Sequence, residues 1–168
     1  MILQETYTLS NGVEIPKLGL GTWRIDDDAV GQVVRTAIDA GYRHIDTAQA
    51  YENERGVGEA VRASGVARDE LFVTTKIWWD KLEPKQLTAA IEQSLENFGL
   101  DRLDLVLIHW PSPNGEVPMA DTIGALDAAR ARGLTRHIGV SNFTIGQIDE
   151  VLALPGGENV VPNQIEVH

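Results

Sequence analysis

The sequence LFVTTK at residues 71–76 and the sequence LDLVLIH at residues 103–109 each predict a short β-strand. The second sequence is apolar at nearly every position, which is typical of a parallel strand that is covered on both faces. Between them, residues 84–98 form an amphipathic stretch with Pro84 at its first helical position. A strand, a helix and a second strand in this order predict a right-handed βαβ unit.

The same alternation of apolar runs and amphipathic stretches continues outward from this unit. Near the start of the chain, Asn11-Gly12 suits a tight turn with positive φ, and it predicts a β-hairpin with arms at residues 6–10 and 13–15. Further strands are predicted at residues 17–21, 44–47, 135–140 and 160–165, and further helices at residues 27–40, 54–63, 120–132 and 145–154. After the hairpin, the chain therefore consists of six consecutive βα-type units with parallel strands.

Two folds share this local pattern, a doubly wound open sheet and a (β/α)8 TIM barrel. The sequence favours the barrel, because no G-x-G-x-x-G motif follows the first strand and polar residues recur where successive strands end. These strand-end residues are Gly21, Thr22, Trp23, Asp46, Lys76, His109, Ser141, Asn142 and Gln164. A barrel would direct all of them toward one mouth.

The length of the chain limits how much of a barrel it can form. A complete (β/α)8 barrel takes about 250 residues, whereas this chain has 168 and its pattern stops after the sixth strand. We therefore expect residues 1–168 to form one barrel domain, truncated at its C-terminal end. The first and sixth strands would be open edges through which such a chain can self-associate, and a full-length protein is expected to be a monomer.

The composition indicates a globular protein and narrows the range of partners. Hydrophobic residues make up 43% of the chain and charged residues 23%. With 14 Lys and Arg against 25 Asp and Glu, the formal net charge is −11, which disfavours nucleic acid and anionic membranes as partners. The lack of cysteine excludes disulfides and thiolate metal sites, and the first residues do not have the pattern of a secretion signal. We expect a cytoplasmic protein without a metal ion that acts on a small molecule.

Four side chains at or just after strand ends suggest acid–base chemistry. Asp46 ends a buried strand and needs a partner, which Lys76 at the end of the next strand can supply. A cation beside Tyr51 would lower the pKa of its phenol and let it donate a proton to a developing alkoxide near neutral pH. His109 can orient and polarise a substrate carbonyl through a hydrogen bond. Each residue alone is as easily structural, but their joint placement predicts a catalytic site.

Five motifs that include these residues resemble the successive signatures of the aldo-keto reductases. They are GYRHIDTAQAYENE (41–54), TTKIW (74–78), DLVLIHWPSP (104–113), IGVSNF (138–143) and NQIEVH (163–168). Within that family, LVLIHWPSPNGEV (105–117) and Ile77-Trp78-Trp79 are most similar to bacterial 2,5-diketo-D-gluconate reductases of the B, or methylglyoxal reductase, type. The resemblance implies a barrel oxidoreductase that uses NADPH to reduce aldehydes and ketones to alcohols. It also implies that Tyr51 is the proton donor and that Asp46, Lys76 and His109 complete the catalytic set.

The resemblance further implies where cofactor and substrate bind. Gly21, Thr22, Trp23 and Asp46 would lie near the cofactor. The nicotinamide carboxamide would be held by Ser141, Asn142 and Gln164, whose side chains offer both donors and acceptors. The substrate pocket would be walled by His109 and by the four tryptophans, Trp23, Trp78, Trp79 and Trp110. NADPH rather than NADH is implied by the family alone, because its 2′-phosphate-binding segment lies beyond the position of Gln164.

Three alternatives remain open at this point. A nucleotide-sensing subunit with the same fold would bind the cofactor without turning it over. The 168-residue chain could instead be an inactive fragment of a reductase. A metal-dependent barrel hydrolase is disfavoured, because neither an H-x-H motif nor a carboxylate cluster occurs at the strand ends.

Overall fold

A six-stranded parallel sheet dominates the computed structural model, which describes residues 2–167. A short antiparallel hairpin precedes the sheet and consists of β1 (Thr6–Thr8) and β2 (Glu14–Pro16). The strands of the sheet are β3 (Gly19–Gly21), β4 (His44–Asp46), β5 (Phe72–Ile77), β6 (Leu103–Ile108), β7 (Thr135–Ser141) and β8 (Val160–Gln164). Each strand pairs in parallel with the next one along the chain. Because this order never reverses, the sheet is not doubly wound; it is a curled half-barrel.

Helices connect the successive strands of the sheet. They are α1 (Asp27–Asp39), α2 (Glu54–Ala63), α3 (Pro84–Phe98), α4 (Met119–Ala131) and α5 (Ile145–Leu152). Local sequence explains their limits: α3 begins with Pro84 and ends at Gly99, which adopts the left-handed conformation with φ of 59°. At the start of α5, Thr144 and Gln147 form a reciprocal capping box. The strand and helix pattern predicted from the sequence is confirmed, with limits that shift by a few residues.

One shift of two residues concerns the strand predicted at residues 17–21, which begins only at Gly19. Lys17 does not pair with β4. Its backbone N–H donates to the carbonyl oxygen of Glu5 at 2.9 Å, and its Nζ lies 2.8 Å from a carboxylate oxygen of the same residue. Lys17 is therefore bound to the residue that precedes β1 and does not extend β3.

The core lies between the outer face of the sheet and the helices. Every residue of β6 is buried, as its apolar sequence predicts, and the one charged residue in it, Asp104, is paired with Arg68 at 2.6 Å. Helix α1 contributes Val30, Val34 and Ile38 from one face, at the spacing of an amphipathic helix.

Among residues 2–167, the helices are too short or too polar to cross a membrane. The cytoplasmic location stays a prediction.

Candidate active site

A buried ion pair lies where β4 and β5 end. The Nζ of Lys76, whose side chain is only 2% exposed, donates to Oδ1 of Asp46 and, at 3.0 Å, to the carbonyl oxygen of Thr47. The other carboxylate oxygen of Asp46 accepts a hydrogen bond of 2.8 Å from the side-chain amide of Gln164 on β8. Both oxygens of Asp46 are therefore engaged, and the ammonium group is held in a place with little access to water.

Tyr51 lies beside this pair, in a short 3-10 turn (Gln49–Tyr51) that follows β4. The Nζ of Lys76 is 5.4 Å from the centre of the Tyr51 ring, and the ring centres of Tyr51 and His109 are 5.7 Å apart. The expectation that Lys76 lowers the pKa of Tyr51 is wrong for this structure. Burial, and secondarily the negative charge of Asp46, raises that pKa to about 12, because Lys76 is directed at Asp46 and its positive charge is largely offset there.

His109 follows β6 and is buried in neutral form. Burial, and then the charge of Lys76, lowers the pKa of His109 to about 4. Its Nδ1 is buried and has no hydrogen-bond partner within residues 2–167, and its ring meets the Trp78 ring edge-on at 4.8 Å between centres. A proton on Nδ1 would be a buried donor with nothing to bind, so the neutral ring favours its proton on Nε2. His109 is thus prepared to donate a hydrogen bond from Nε2.

Two of these side chains, Tyr51 and His109, line an open cavity of about 530 Å³. Its lining includes most of the predicted site residues and is formed by Trp23, Ala50, Tyr51, Trp78, His109, Trp110, Ser141, Asn142, Gln164, Ile165 and Glu166. The structure therefore brings the phenol and the imidazole to one cavity. The Asp46–Lys76 pair is not part of the lining, but it contacts two residues that are, Gln164 and Tyr51.

One side of the cavity carries amide and hydroxyl groups from β7 and β8. The hydroxyl of Ser141 donates to the carbonyl oxygen of Gln164 at 2.9 Å, and Nδ2 of Asn142 donates to the carbonyl oxygen of His109 at 3.0 Å. Asn142 has a φ of 63°, a left-handed conformation that is uncommon for residues other than glycine. Such strain is characteristic of functional sites.

The remaining predicted residues occupy different positions relative to the cavity. Trp23 lines it and is 64% exposed, whereas Thr22 is completely buried and Gly21 pairs with Asp46 in the sheet. Trp79 was also predicted to line the pocket, but the cavity lining does not include it. Trp79 begins a 3-10 turn after β5 and contacts Trp78, with ring centres 6.4 Å apart.

Comparison with known proteins identifies the family. The family model for the aldo/keto reductase family matches residues 17–168. The chain is a member of the aldo-keto reductase family.

Relatives of this aldo-keto reductase chain include several bacterial enzymes. It is 50% identical over 153 residues to methylglyoxal reductase DkgB of Escherichia coli O157:H7, a match that covers 91% of the chain and 57% of that protein. It is 44% identical to glyoxal reductase of Bacillus subtilis (strain 168), with 99% of the chain and 59% of that protein covered. The chain thus spans little more than half the length of these relatives.

Solved structures agree with the half-barrel fold. The crystal structure of an aldo/keto reductase from Brucella melitensis superimposes with a TM-score of 0.91 at 41% identity, covering 98% of the chain and 63% of that structure. A crystal structure assigned provisionally to a 2,5-diketo-D-gluconic acid reductase B gives a TM-score of 0.89 at 40% identity, covering 99% of the chain and 58% of that structure. The six strands of this aldo-keto reductase chain correspond to part of a TIM barrel.

Sequence reasoning missed two buried polar residues next to the site, Asn53 and Glu54, at the start of α2. The carboxylate of Glu54 accepts hydrogen bonds from Thr75 at 2.6 Å and from Asn97 at 2.9 Å, and so supports β5, the strand that carries Lys76. The YENE sequence at residues 51–54 contains both residues, but nothing in its spacing shows that their partners lie on other elements.

Proposed function

We propose that this chain carries the active site of an NADPH-dependent carbonyl reductase, in which Tyr51 donates the proton and small aldehydes or ketones are the substrates. One observation carries the proposal: a phenol and a neutral imidazole line one cavity at the carboxyl ends of the strands, and the largely buried Asp46–Lys76 pair lies next to the phenol. In barrel enzymes, that end of the strands is where active sites form.

The cavity suits the nicotinamide end of the cofactor. The side-chain oxygens of Asn142 and Gln164 have no hydrogen-bond partner among the described residues, and both side chains line the cavity. They can accept the two N–H groups of a carboxamide, while Ser141 contributes its hydroxyl. When bound there, NADPH supplies the hydride that reduces the carbonyl carbon. The preference for NADPH over NADH rests on the family resemblance.

The residues of the chain orient the carbonyl group and provide the proton. His109 donates a hydrogen bond from Nε2 to the carbonyl oxygen and polarises it. With its pKa near 12, Tyr51 is fully protonated at neutral pH, so its proton is available when negative charge develops on that oxygen. The Nζ of Lys76 lies 5.4 Å from the centre of the Tyr51 ring, and Asp46 compensates its positive charge, so the phenol keeps its proton until negative charge develops on the substrate oxygen.

Small dicarbonyl compounds and keto sugar acids are the proposed substrates. The relatives named above are a methylglyoxal reductase and a glyoxal reductase. The cavity wall combines the apolar rings of Trp23, Trp78 and Trp110 with the polar groups of Tyr51 and His109. This arrangement can enclose a small molecule and still bind one carbonyl oxygen.

The proposal is tested by following NADPH oxidation with methylglyoxal, together with NADPH quenching of tryptophan fluorescence. Replacement of Tyr51 by Phe removes the proton donor, and we expect it to lower the rate about 10²–10⁴-fold with little effect on NADPH binding. The matched control is Tyr7→Phe, since Tyr7 lies in the exposed hairpin. Unchanged activity in Tyr51→Phe would refute the role of Tyr51. Binding of NADPH without turnover in the unmodified chain would favour a nucleotide-binding role instead.

A further inference from the structure

Asn53 uses all of its side-chain hydrogen-bonding capacity next to the proposed site. It is completely buried at the boundary before α2. Its Oδ1 accepts from the hydroxyl of Thr47 at 2.7 Å and from the hydroxyl of Thr22 at 3.3 Å, and its Nδ2 donates to the carbonyl oxygens of Thr22 at 3.0 Å and Ile25 at 2.8 Å. These four bonds account for two donors and two acceptor positions.

The placement of Asn53 would ordinarily suggest a helix cap, because asparagine is favoured before the first turn of a helix. In this structure its side chain makes no capping hydrogen bond to α2. All four of its bonds go instead to the segments that follow β3 and β4. The side chain of Asn53 therefore stabilises the loops that follow β3 and β4 and does not cap the helix that it precedes.

In the first of these loops, residues 22–25, the two middle residues are exposed and one of them has a strained backbone. Arg24 has a φ of 62°, and its guanidinium group lies 4.3 Å from the centre of the Trp23 ring. Since Trp23 is 64% exposed, burial does not fix its position. The two bonds from Asn53 hold the carbonyl groups of Thr22 and Ile25 on either side of the strained Arg24, and strained backbone persists only where its surroundings fix it.

The second segment, residues 47–53, carries the proposed proton donor. Thr47 lies at its beginning, with its hydroxyl bound to Asn53 and its carbonyl oxygen bound to Lys76. Asn53 lies at its end. The segment that contains the Tyr51 turn is thus held together by one side-chain hydrogen bond between its first and last residues, Thr47 and Asn53.

On the basis of the proposed function, we propose that Asn53 is a positioning residue that fixes Trp23 and Tyr51 relative to each other across the cavity. It does so by joining the loop that presents the tryptophan to the turn that presents the phenol. It contacts neither substrate nor cofactor, and its effect on reduction is exerted through these two side chains.

Hydrogen exchange in the 168-residue chain without NADPH tests this inference independently of activity. The backbone amides of Thr22 and Ile25 are hydrogen-bonded, to Asp46 at 3.0 Å and to Thr22 at 3.2 Å, and so report on the loop. In Asn53→Ser, which keeps a residue suited to a helix boundary but loses both N–H donors, we expect these amides to exchange about tenfold faster or more. Amides of β5 and β6 should be unaffected.

The control is Thr135→Val, which removes a buried hydroxyl bond of 2.9 Å to the carbonyl oxygen of His137 at the opposite end of the sheet. It should leave exchange in residues 22–25 unchanged.

If Asn53→Ser does not fold, Thr47→Val replaces it, because this variant removes only one hydrogen bond to Oδ1 of Asn53. Faster exchange confined to residues 22–25 and 47–53 supports the inference. Unchanged exchange there, or acceleration spread evenly over the sheet, overturns it.

An activity measurement separates failure of this inference from failure of the proposed function. With NADPH and methylglyoxal, kcat of Asn53→Ser should fall about tenfold, whereas kcat of Thr135→Val should stay within about twofold of the unmodified chain. A chain that is inactive in every form would contradict the proposed function and leave the exchange result to decide the role of Asn53. Normal kcat in Asn53→Ser, despite faster loop exchange, would show that the positioning has no consequence for reduction.

Discussion

At the scale of single residues, burial determines the protonation states in the candidate site. Tyr51 and His109 both have pKa values displaced toward the neutral form, to about 12 and about 4, and burial is the main cause in each case. Lys76 remains beside Asp46, where the carboxylate compensates its positive charge. A neutral phenol and a neutral imidazole can both donate hydrogen bonds to a carbonyl oxygen, which is the combination that the proposed reaction requires.

The displaced pKa of His109 predicts a loss of stability in acid. Because the folded pKa is about 4 and the ordinary value is 6.5, the unfolded chain binds the extra proton first as the pH falls. The free energy of unfolding should therefore decrease as the pH falls from 6.5 to 4, by at most roughly 1.4 kcal/mol per pH unit for this group. Burial lowers the pKa of His44 and His137 as well, so they contribute in the same direction.

Urea unfolding at a series of pH values in this range tests that prediction, with His109→Gln as the comparison. Glutamine cannot titrate, so the variant should lose less stability than the unmodified chain over the same interval. His137→Gln is a second comparison, at a histidine outside the cavity lining, and it should also lose less stability than the unmodified chain because burial lowers the pKa of His137 as well. Identical pH dependence in His109→Gln and the unmodified chain would show that His109 is not held in its neutral form by the fold.

At the scale of elements, helices α2 and α3 pack closely against each other where Gly58 of α2 faces the end of α3. A Cβ atom on Gly58 would lie 2.2 Å from the carbonyl oxygen of Phe98, whereas one on Gly124 in α4 would have no atom of another described part of the chain within 4 Å. Both glycines lie inside helices. Alanine substitutions at these two positions therefore separate the effect of close packing on stability from the effect of helix propensity.

Replacement of each glycine by alanine should change stability in opposite directions. Gly58→Ala should destabilise the chain by about 1–3 kcal/mol, because α2 and α3 must move apart. Gly124→Ala should stabilise it by about 0.4–1 kcal/mol, because alanine favours the helix and restricts the unfolded chain. Thermal unfolding of the two variants measures both effects. Equal stability of Gly58→Ala and Gly124→Ala would contradict the packing described for α2.

Local sequence patterns predict the elements well and the contacts between them poorly. The limits of α2 and α3 agree with the predicted ranges because clear signals mark them, such as Pro84 at the start and Gly99 at the end of α3. The hairpin turn also follows from its Asn-Gly dipeptide, with Gly12 at a φ of 82°. In contrast, the role of Asn53 depends on Thr22 and Ile25, which lie 31 and 28 positions away, and no local period indicates such contacts.

At the scale of the whole molecule, the parallel order of strands assembles the site from distant parts of the chain. Asp46 and Gln164 are 118 positions apart in sequence and share a hydrogen bond. The strand-end pattern predicts that such residues converge, because parallel strands direct their carboxyl ends to one edge. It does not predict protonation: Lys76 was expected to lower the pKa of Tyr51, and only the geometry shows that its charge is directed at Asp46.

The central claim is that Tyr51 and His109 act as a unit on one carbonyl oxygen, and a double-mutant cycle tests it most directly. The rate of methylglyoxal reduction by NADPH is measured for the unmodified chain, Tyr51→Phe, His109→Gln and the double variant. Groups that act together on one oxygen have strongly non-additive effects. We expect the double variant to be about as slow as the slower single variant. Effects that multiply in full, or substantial activity in the double variant, would contradict the claim.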